Sequence, residues 1–190
     1  MTFHEAAHAW TANRLGDPTA RQLGRLSLNP AVHVDLIGTV VFPLVALVTG
    51  VPLLGWAKPV PVNMNNLRHP RRDFAIVALA GPVSNLLLAA AGAIVVEAAL
   101  ASSAGGGLTT VIDAFVFFAS LNVMLAVFNM IPIPPLDGGN VLMGILPESM
   151  AAVVDQLRPW GFLLLYALML SGMLSRIVFP VQRTILGWLL

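Results

Sequence analysis

Long apolar blocks, separated by short polar or glycine- and proline-bearing stretches, fill most of the chain. The first block is mixed. Residues 3–13, Phe-His-Glu-Ala-Ala-His-Ala-Trp-Thr-Ala-Asn, suit a helix that stops at Gly16 and Pro18. Residues 23–29 alternate weakly around Leu26, Ser27 and Leu28, which predicts a short strand before Asn29-Pro30 turns the chain. Residues 36–54 are apolar but interrupted by Gly38, Pro43, Gly50 and Pro52. Residues 55–63 (Gly-Trp-Ala-Lys-Pro-Val-Pro-Val-Asn) predict an extended loop, since each proline disfavours helix in the residue before it. Two long apolar helices follow, over 74–100 and 111–130, joined by a flexible, uncharged connection from Ser102 to Gly107. Small residues around Ala80-Gly81-Pro82 and at 89–93 suit tight helix packing. Pro132, Pro134 and Pro135 stop the second helix. A polar stretch from Glu148 to Arg158 leads to a last apolar helix over 160–174. The tail, 176–190, reads as an interfacial segment bearing Arg176 and Arg183.

Composition turns these blocks into membrane segments. Of the 190 residues 57% are hydrophobic and only 10% charged, where soluble domains carry about 25% charged. An all-α, polytopic integral membrane protein follows, with one membrane-embedded domain over 1–190 and roughly four to six membrane segments. A formal net charge of +1 and no basic run with interleaved aromatics set nucleic-acid binding aside. Without cysteine there is no thiolate metal site, so any zinc must take His and carboxylate ligands.

Those ligands are in view at residues 4–8. His-Glu-Ala-Ala-His on a helix projects His4 and His8 from one face, the pattern of a zinc hydrolase. Glu5 lies about 100° around the helix from His4, where it can face a metal-bound water as general base. A third protein ligand must come from elsewhere, and Asp137 is the best candidate. It follows the prolines that end a membrane helix, and extended backbone at that depth is tolerated where it lines a polar cavity. Gly138 and Gly139 beside it allow unusual angles or a close approach. The alternative is that Asp137 caps a helix beginning near Gly139.

His4-Glu5-x-x-His8, Ala80-Gly81-Pro82-x-x-Asn85 and Pro135-Leu136-Asp137-Gly138 occur in the order seen in the site-2 proteases. Gly24-Arg-Leu-Ser-Leu-Asn-Pro30 and the 55–63 stretch resemble the short prokaryotic branch of that family, so the likeness runs from Phe3 to about Leu146. The resemblance implies an intramembrane zinc metalloprotease that cuts membrane-anchored protein substrates. One zinc ion would be held by His4, His8 and Asp137, with Glu5 as catalytic acid and base and Asn85 near the site, steering substrate or the oxyanion. Members have a full membrane helix leading into the His-Glu-x-x-His. Only three residues precede His4 here, so the first helix is expected to be cut short at its N-terminus, with about 15–20 apolar codons upstream. A truncated or inactive copy is the alternative.

A single zinc also constrains topology. Arg14, Arg21 and Arg25 mark the end of the first helix as cytoplasmic, and Lys58, Arg68, Arg71 and Arg72 form a second basic cluster. If residues 36–54 crossed the bilayer, Asp137 would arrive on the far side. A re-entrant 36–54 instead brings it to the cytoplasmic side, near His8, with all seven charges on one face. The expected enzyme is therefore a multi-pass cell-membrane protein whose site opens to the cytoplasm. The strand at 23–29, read as half of a short β-hairpin near the site, would pair with an unwound substrate by edge addition.

Other polar residues have ordinary readings beside functional ones. His33 and Asp35 are either spare ligands or part of a hydrogen-bonded interfacial loop. His69 sits among arginines as a surface residue. Asn122 and Asn129, seven apart on one helix, bond between helices, or Asn129 lines the site and binds substrate. Glu97 snorkels to the far interface. Two other function classes stay open: an inactive membrane scaffold that binds substrates or partners, and a metal transporter with Asp137 on its path. Transport fits poorly, because the other membrane helices offer few polar residues.

Overall fold

The computed structural model describes residues 1–50, 55–102 and 108–190. The last four residues of the expected re-entrant segment, 51–54, and most of the flexible connection, 103–107, lie outside the described residues. Every regular element among the described residues is helical. The chain forms two compact units, Met1–Gly81 and Pro82–Leu190.

In the first unit, α1 (Thr2–Arg14) carries the His-Glu-Ala-Ala-His motif and α2 (Thr19–Gln22) follows it closely. The turn between them is forced by Gly16, whose φ of +113° is left-handed and whose missing Cβ would lie 2.9 Å from the Asn66 carbonyl oxygen. Asp17, fully buried next to it, ties this turn to the far end of the unit. Its carboxylate accepts from the Thr19 backbone N–H and hydroxyl, from the Asn63 N–H at 2.7 Å and from the Asn66 side-chain amide at 2.9 Å. Burial pushes its pKa up, but these four bonds together outweigh burial and hold the carboxyl below its usual value.

No strand forms at 23–29. Gly24 turns with φ +68°, and the Ser27 hydroxyl accepts from the Asn29 N–H, so local side-chain bonding replaces a ladder. Asn29 caps a short 3₁₀ turn, Pro30–His33. Asp35 accepts from Ile37 and Gly38 N–H groups and starts a π-helical stretch, Leu36–Val41, that continues as α3 (Phe42–Thr49). No residue of α3 is buried. The chain then returns to where it left: Trp56 N–H donates to Gly38 carbonyl oxygen at 3.2 Å and Lys58 N–H to that of His33 at 2.9 Å.

The helix α4 (Pro70–Ala101) starts in this unit and continues into the second. Asp73 receives the His69 N–H, capping its first turn.

In the second unit, α5 (Thr109–Asn129) packs on α4 through small residues, with the Cβ position of Gly92 only 3.1 Å from Phe118. Ala89, Ala119 and Val123 form the buried core. A proline loop then leads into α6 (Asp137–Ile145), α7 (Glu148–Gln156), α8 (Gly161–Leu170) and α9 (Met173–Leu189). The apolar run expected to be one helix from 160 to 174 breaks at Gly172, whose φ of +72° is left-handed. The tail does not stand apart from the bundle: α9 runs back along α5. Ile177 meets Met130, Ile131 and Pro132 at the end of α5 across an apolar cavity of about 310 Å³, while Gln182 donates to Ser120 near its middle.

By length and composition Pro70–Ala101, Thr109–Asn129 and Glu148–Leu170 can each cross a bilayer. Large apolar side chains such as Leu87, Ile94, Phe117 and Leu163 point outward from them, where lipid rather than water suits them. The protein is a membrane protein.

Candidate metal and peptidase site

His4, Glu5 and His8 all lie on the buried side of α1, against the last turns of α4 that belong to the same unit. The imidazoles of His4 and His8 meet edge to face, centroids 4.6 Å apart. Their Nε2 atoms converge on one point: a Cβ on Gly81 would lie 2.6 Å from that of His4 and 2.5 Å from that of His8. Only glycine leaves this space open.

The second ring nitrogen of His8 is also committed. His8 Nδ1 lies 2.7 Å from the Val77 carbonyl oxygen, which can only accept, so Nδ1 carries the proton and Nε2 presents its lone pair. That outer bond orients a histidine for metal ligation. Two imidazole nitrogens turned onto one small space suit zinc, which favours such donors. Glu5 is buried beside them, and one carboxylate oxygen receives the Val60 N–H at 3.2 Å.

In the second unit, Asp137 is half-buried as the first residue of α6. It is not the helix cap: Leu136, with ψ 159°, holds that place without a side-chain bond. The two glycines after Asp137 serve close approach. The Cβ position of Gly138 falls on the Met130 carbonyl and that of Gly139 on the Pro134 nitrogen, so the helix start is pressed against the proline loop. Asn85 is fully buried on α4, and the Asn129 amide donates to Leu125 carbonyl oxygen at the end of α5. Asn122 likewise bonds back within its helix, to Phe118. Within the first unit, the donors available to a metal are the two imidazoles of His4 and His8.

The remaining residues take ordinary roles. His33 is buried with Nε2 bonded to the Ser27 carbonyl oxygen, and Asp35 caps the helix that follows it. His69 is exposed beside Asp73. Arg25 is where the sequence reading misses a role. Grouped there with the charges that mark the cytoplasmic side, it is buried, with Nη2 donating to Lys58 carbonyl oxygen at 2.6 Å. Nothing in a lone arginine announces this. The loop that it holds lies more than 30 residues further along the chain.

Comparison with known proteins adds ancestry to this geometry. The model of peptidase family M50 matches residues 101–171. The chain is 37% identical to "Putative zinc metalloprotease YwhC" of Bacillus subtilis over 184 residues, which is 95% of this chain and 81% of that protein. It is 31% identical to "Putative zinc metalloprotease Rip2" of Mycolicibacterium smegmatis over 95% of this chain and 67% of that protein. A shorter stretch of 70 residues is 37% identical to "Putative zinc metalloprotease CPE1693" of Clostridium perfringens, covering 34% of this chain and 21% of the relative. No solved structure matches the chain. With convergent histidines on a membrane-protein scaffold, and relatives of this kind along nearly its whole length, the chain belongs to peptidase family M50, the site-2 proteases.

Proposed function

We propose that the protein is an intramembrane zinc endopeptidase that cleaves membrane-anchored proteins, with His4, His8 and Asp137 holding one zinc ion. The observation that carries this reading is the convergence of the His4 and His8 Nε2 atoms on the space left by Gly81, with Glu5 buried one position along the helix. Family membership and the zinc-metalloprotease names of the relatives support it.

Zinc, when bound, supplies Lewis acidity that polarises a peptide carbonyl and brings the pKa of water to about 7. The chain's own residues do the rest. Val77 holds the His8 ring in the tautomer that leaves Nε2 for the ion. Asp137 adds a negative charge to the two neutral imidazoles. Glu5 takes the proton of the attacking water and returns it to the leaving amide nitrogen, a task worth typically 10²–10⁴-fold. The Val60 N–H keeps one oxygen of that carboxylate in place. Asn85 and Asn129 are proposed to bind the substrate backbone once its helix has unwound.

The site is read as opening to the cytoplasm, with 36–54 re-entrant. Three observations support this. Leu36–Thr49 is apolar, with Leu47 and Val48 among its exposed side chains, and its 14 residues would reach roughly 21 Å at 1.5 Å each, short of a bilayer core of about 30 Å. The chain around His33–Gly38 and the chain around Trp56–Lys58 also lie side by side, through the Trp56–Gly38 and Lys58–His33 bonds. Arg14, Arg21, Lys58, Arg68 and Arg72 are exposed in the same unit, as a cytoplasmic face prefers.

The test is purified protein with an internally quenched single-span peptide. Glu5→Gln should abolish cleavage and keep zinc, whereas Asp137→Asn should weaken zinc binding. Stoichiometric zinc without cleavage by the wild type would identify an inactive scaffold instead. Full zinc affinity in Asp137→Asn would remove Asp137 from the ligand set.

A further inference from the structure

The loop that touches Glu5 is itself held by a buried charge. Residues 56–60 form no regular element, and alternate N–H groups among them, those of Trp56, Lys58 and Val60, are hydrogen-bonded. Trp56 N–H reaches Gly38, Lys58 N–H reaches His33, and Val60 N–H reaches a Glu5 carboxylate oxygen at 3.2 Å. Pro59 and Pro61 flank Val60 and have no N–H, so Val60 carries the one amide proton available here. Hydrogen bonds to Gly38 and His33 fix the loop as far as Lys58.

Arg25 fixes it beyond that point. Its Nη2 donates to the carbonyl oxygen of Lys58 at 2.6 Å and, more weakly, to that of Pro59 at 3.4 Å, the two carbonyls just before Val60. Its own N–H is tied to the Ala20 carbonyl oxygen at 2.8 Å. The residue is 7% exposed, and its buried Nε has no hydrogen-bond partner among the described residues. Burying a guanidinium is costly, and an exposed arginine would serve membrane orientation equally well. The burial therefore calls for another role.

We propose that Arg25 is a positioning residue for Glu5: it clamps the Lys58 and Pro59 carbonyls and thereby sets the Val60 N–H that holds the carboxylate. The catalytic consequence rests on the role proposed for Glu5. The structural link does not.

The experiment uses the full chain, zinc-loaded in detergent, with Arg25→Gln, Arg25→Lys and Glu5→Ala variants and ¹⁵N-valine labelling. Deuterium exchange at the Val60 amide should speed up at least about tenfold in Arg25→Gln, toward its rate in Glu5→Ala, with Arg25→Lys between them and wild type. On the quenched peptide, kcat should fall about 10- to 100-fold in Arg25→Gln with KM and zinc content unchanged. Unchanged Val60 exchange in Arg25→Gln overturns the proposal. So does a rise in KM with kcat retained, which would make Arg25 a substrate contact. Should Arg25→Gln fail to fold, Arg25→Lys decides: wild-type exchange and kcat in that variant overturn the proposal, and a shift in both supports it. A wild type that protects Val60 but cleaves nothing refutes the enzyme reading while the exchange result still judges the Arg25 link.

Discussion

Adding one methyl group at Gly81 should damage the metal site more than the fold. In Gly81→Ala the new Cβ would sit 2.5 Å from His8 Nε2, 2.6 Å from His4 Nε2 and 2.6 Å from His4 Cε1. Carbon needs about 3.5 Å from such neighbours, so each ring must retreat by roughly 1 Å. His8 cannot simply swing away, because its Nδ1 is bonded to Val77 at 2.7 Å on the same helix as Gly81. Ligand distances to zinc tolerate about 0.2 Å. Overpacking of this kind costs about 1–3 kcal/mol, and if it falls on the loaded site, zinc binds roughly 5- to 150-fold more weakly. Competition against a chromophoric chelator measures this directly. Gly92→Ala is the control. Its Cβ would press on Phe118 at 3.1 Å in the other unit, so it should lower the melting temperature and leave zinc affinity alone. Wild-type zinc affinity in Gly81→Ala would refute the claim that the two imidazoles converge on this glycine.

Three further outcomes are expected. Asp17→Asn should destabilise the protein by about 1–3 kcal/mol, since an amide cannot accept all four bonds. Because the folded state depresses the Asp17 pKa, the advantage of wild type is complete above the ordinary carboxylate value of about 4. It vanishes as pH falls through the lower folded-state value, and chemical denaturation across that acid range checks the convergence. Gln182→Leu removes two bonds to Ser120 and should lower stability by about 1 kcal/mol in thermal unfolding, with zinc content intact. Single cysteines at Arg21 and Arg68, in a chain with none of its own, should label from the same membrane face; labelling from opposite faces would exclude a re-entrant 36–54.

The elements legible in the sequence were those written in hydrophobicity and in helix-stop residues. The first helix was expected over 3–13 and spans Thr2–Arg14, and the block at 111–130 is Thr109–Asn129. The long block at 74–100 begins earlier, at Pro70, because proline suits a first turn and Asp73 caps it. Features that depend on a partner distant in sequence were not legible. The alternation at Leu26–Leu28 has no neighbouring strand to pair with, and Gly24 and Ser27 draw the backbone into turns. In the site, the pairing of His4 with His8 follows from helical spacing alone. Gly81 was legible as a small packing residue. That its small size serves the two imidazoles appears only when α1 and α4 meet. Arg25 was read by its charge, whereas its place is decided by two carbonyls more than 30 residues away.

The bond from His8 to Val77 closes a loop of 69 residues, and this has a consequence in time. At synthesis rates of 5–20 residues per second, the ring and its acceptor emerge about 3–14 s apart. Until then the imidazole has neither its fixed tautomer nor the glycine-walled space to point into. A nascent chain can carry the His-Glu-Ala-Ala-His intact and still be a poor competitor for metal. The paired imidazoles thus gain their fixed geometry only once the stretch carrying Val77 and Gly81 has been made and has folded back on α1.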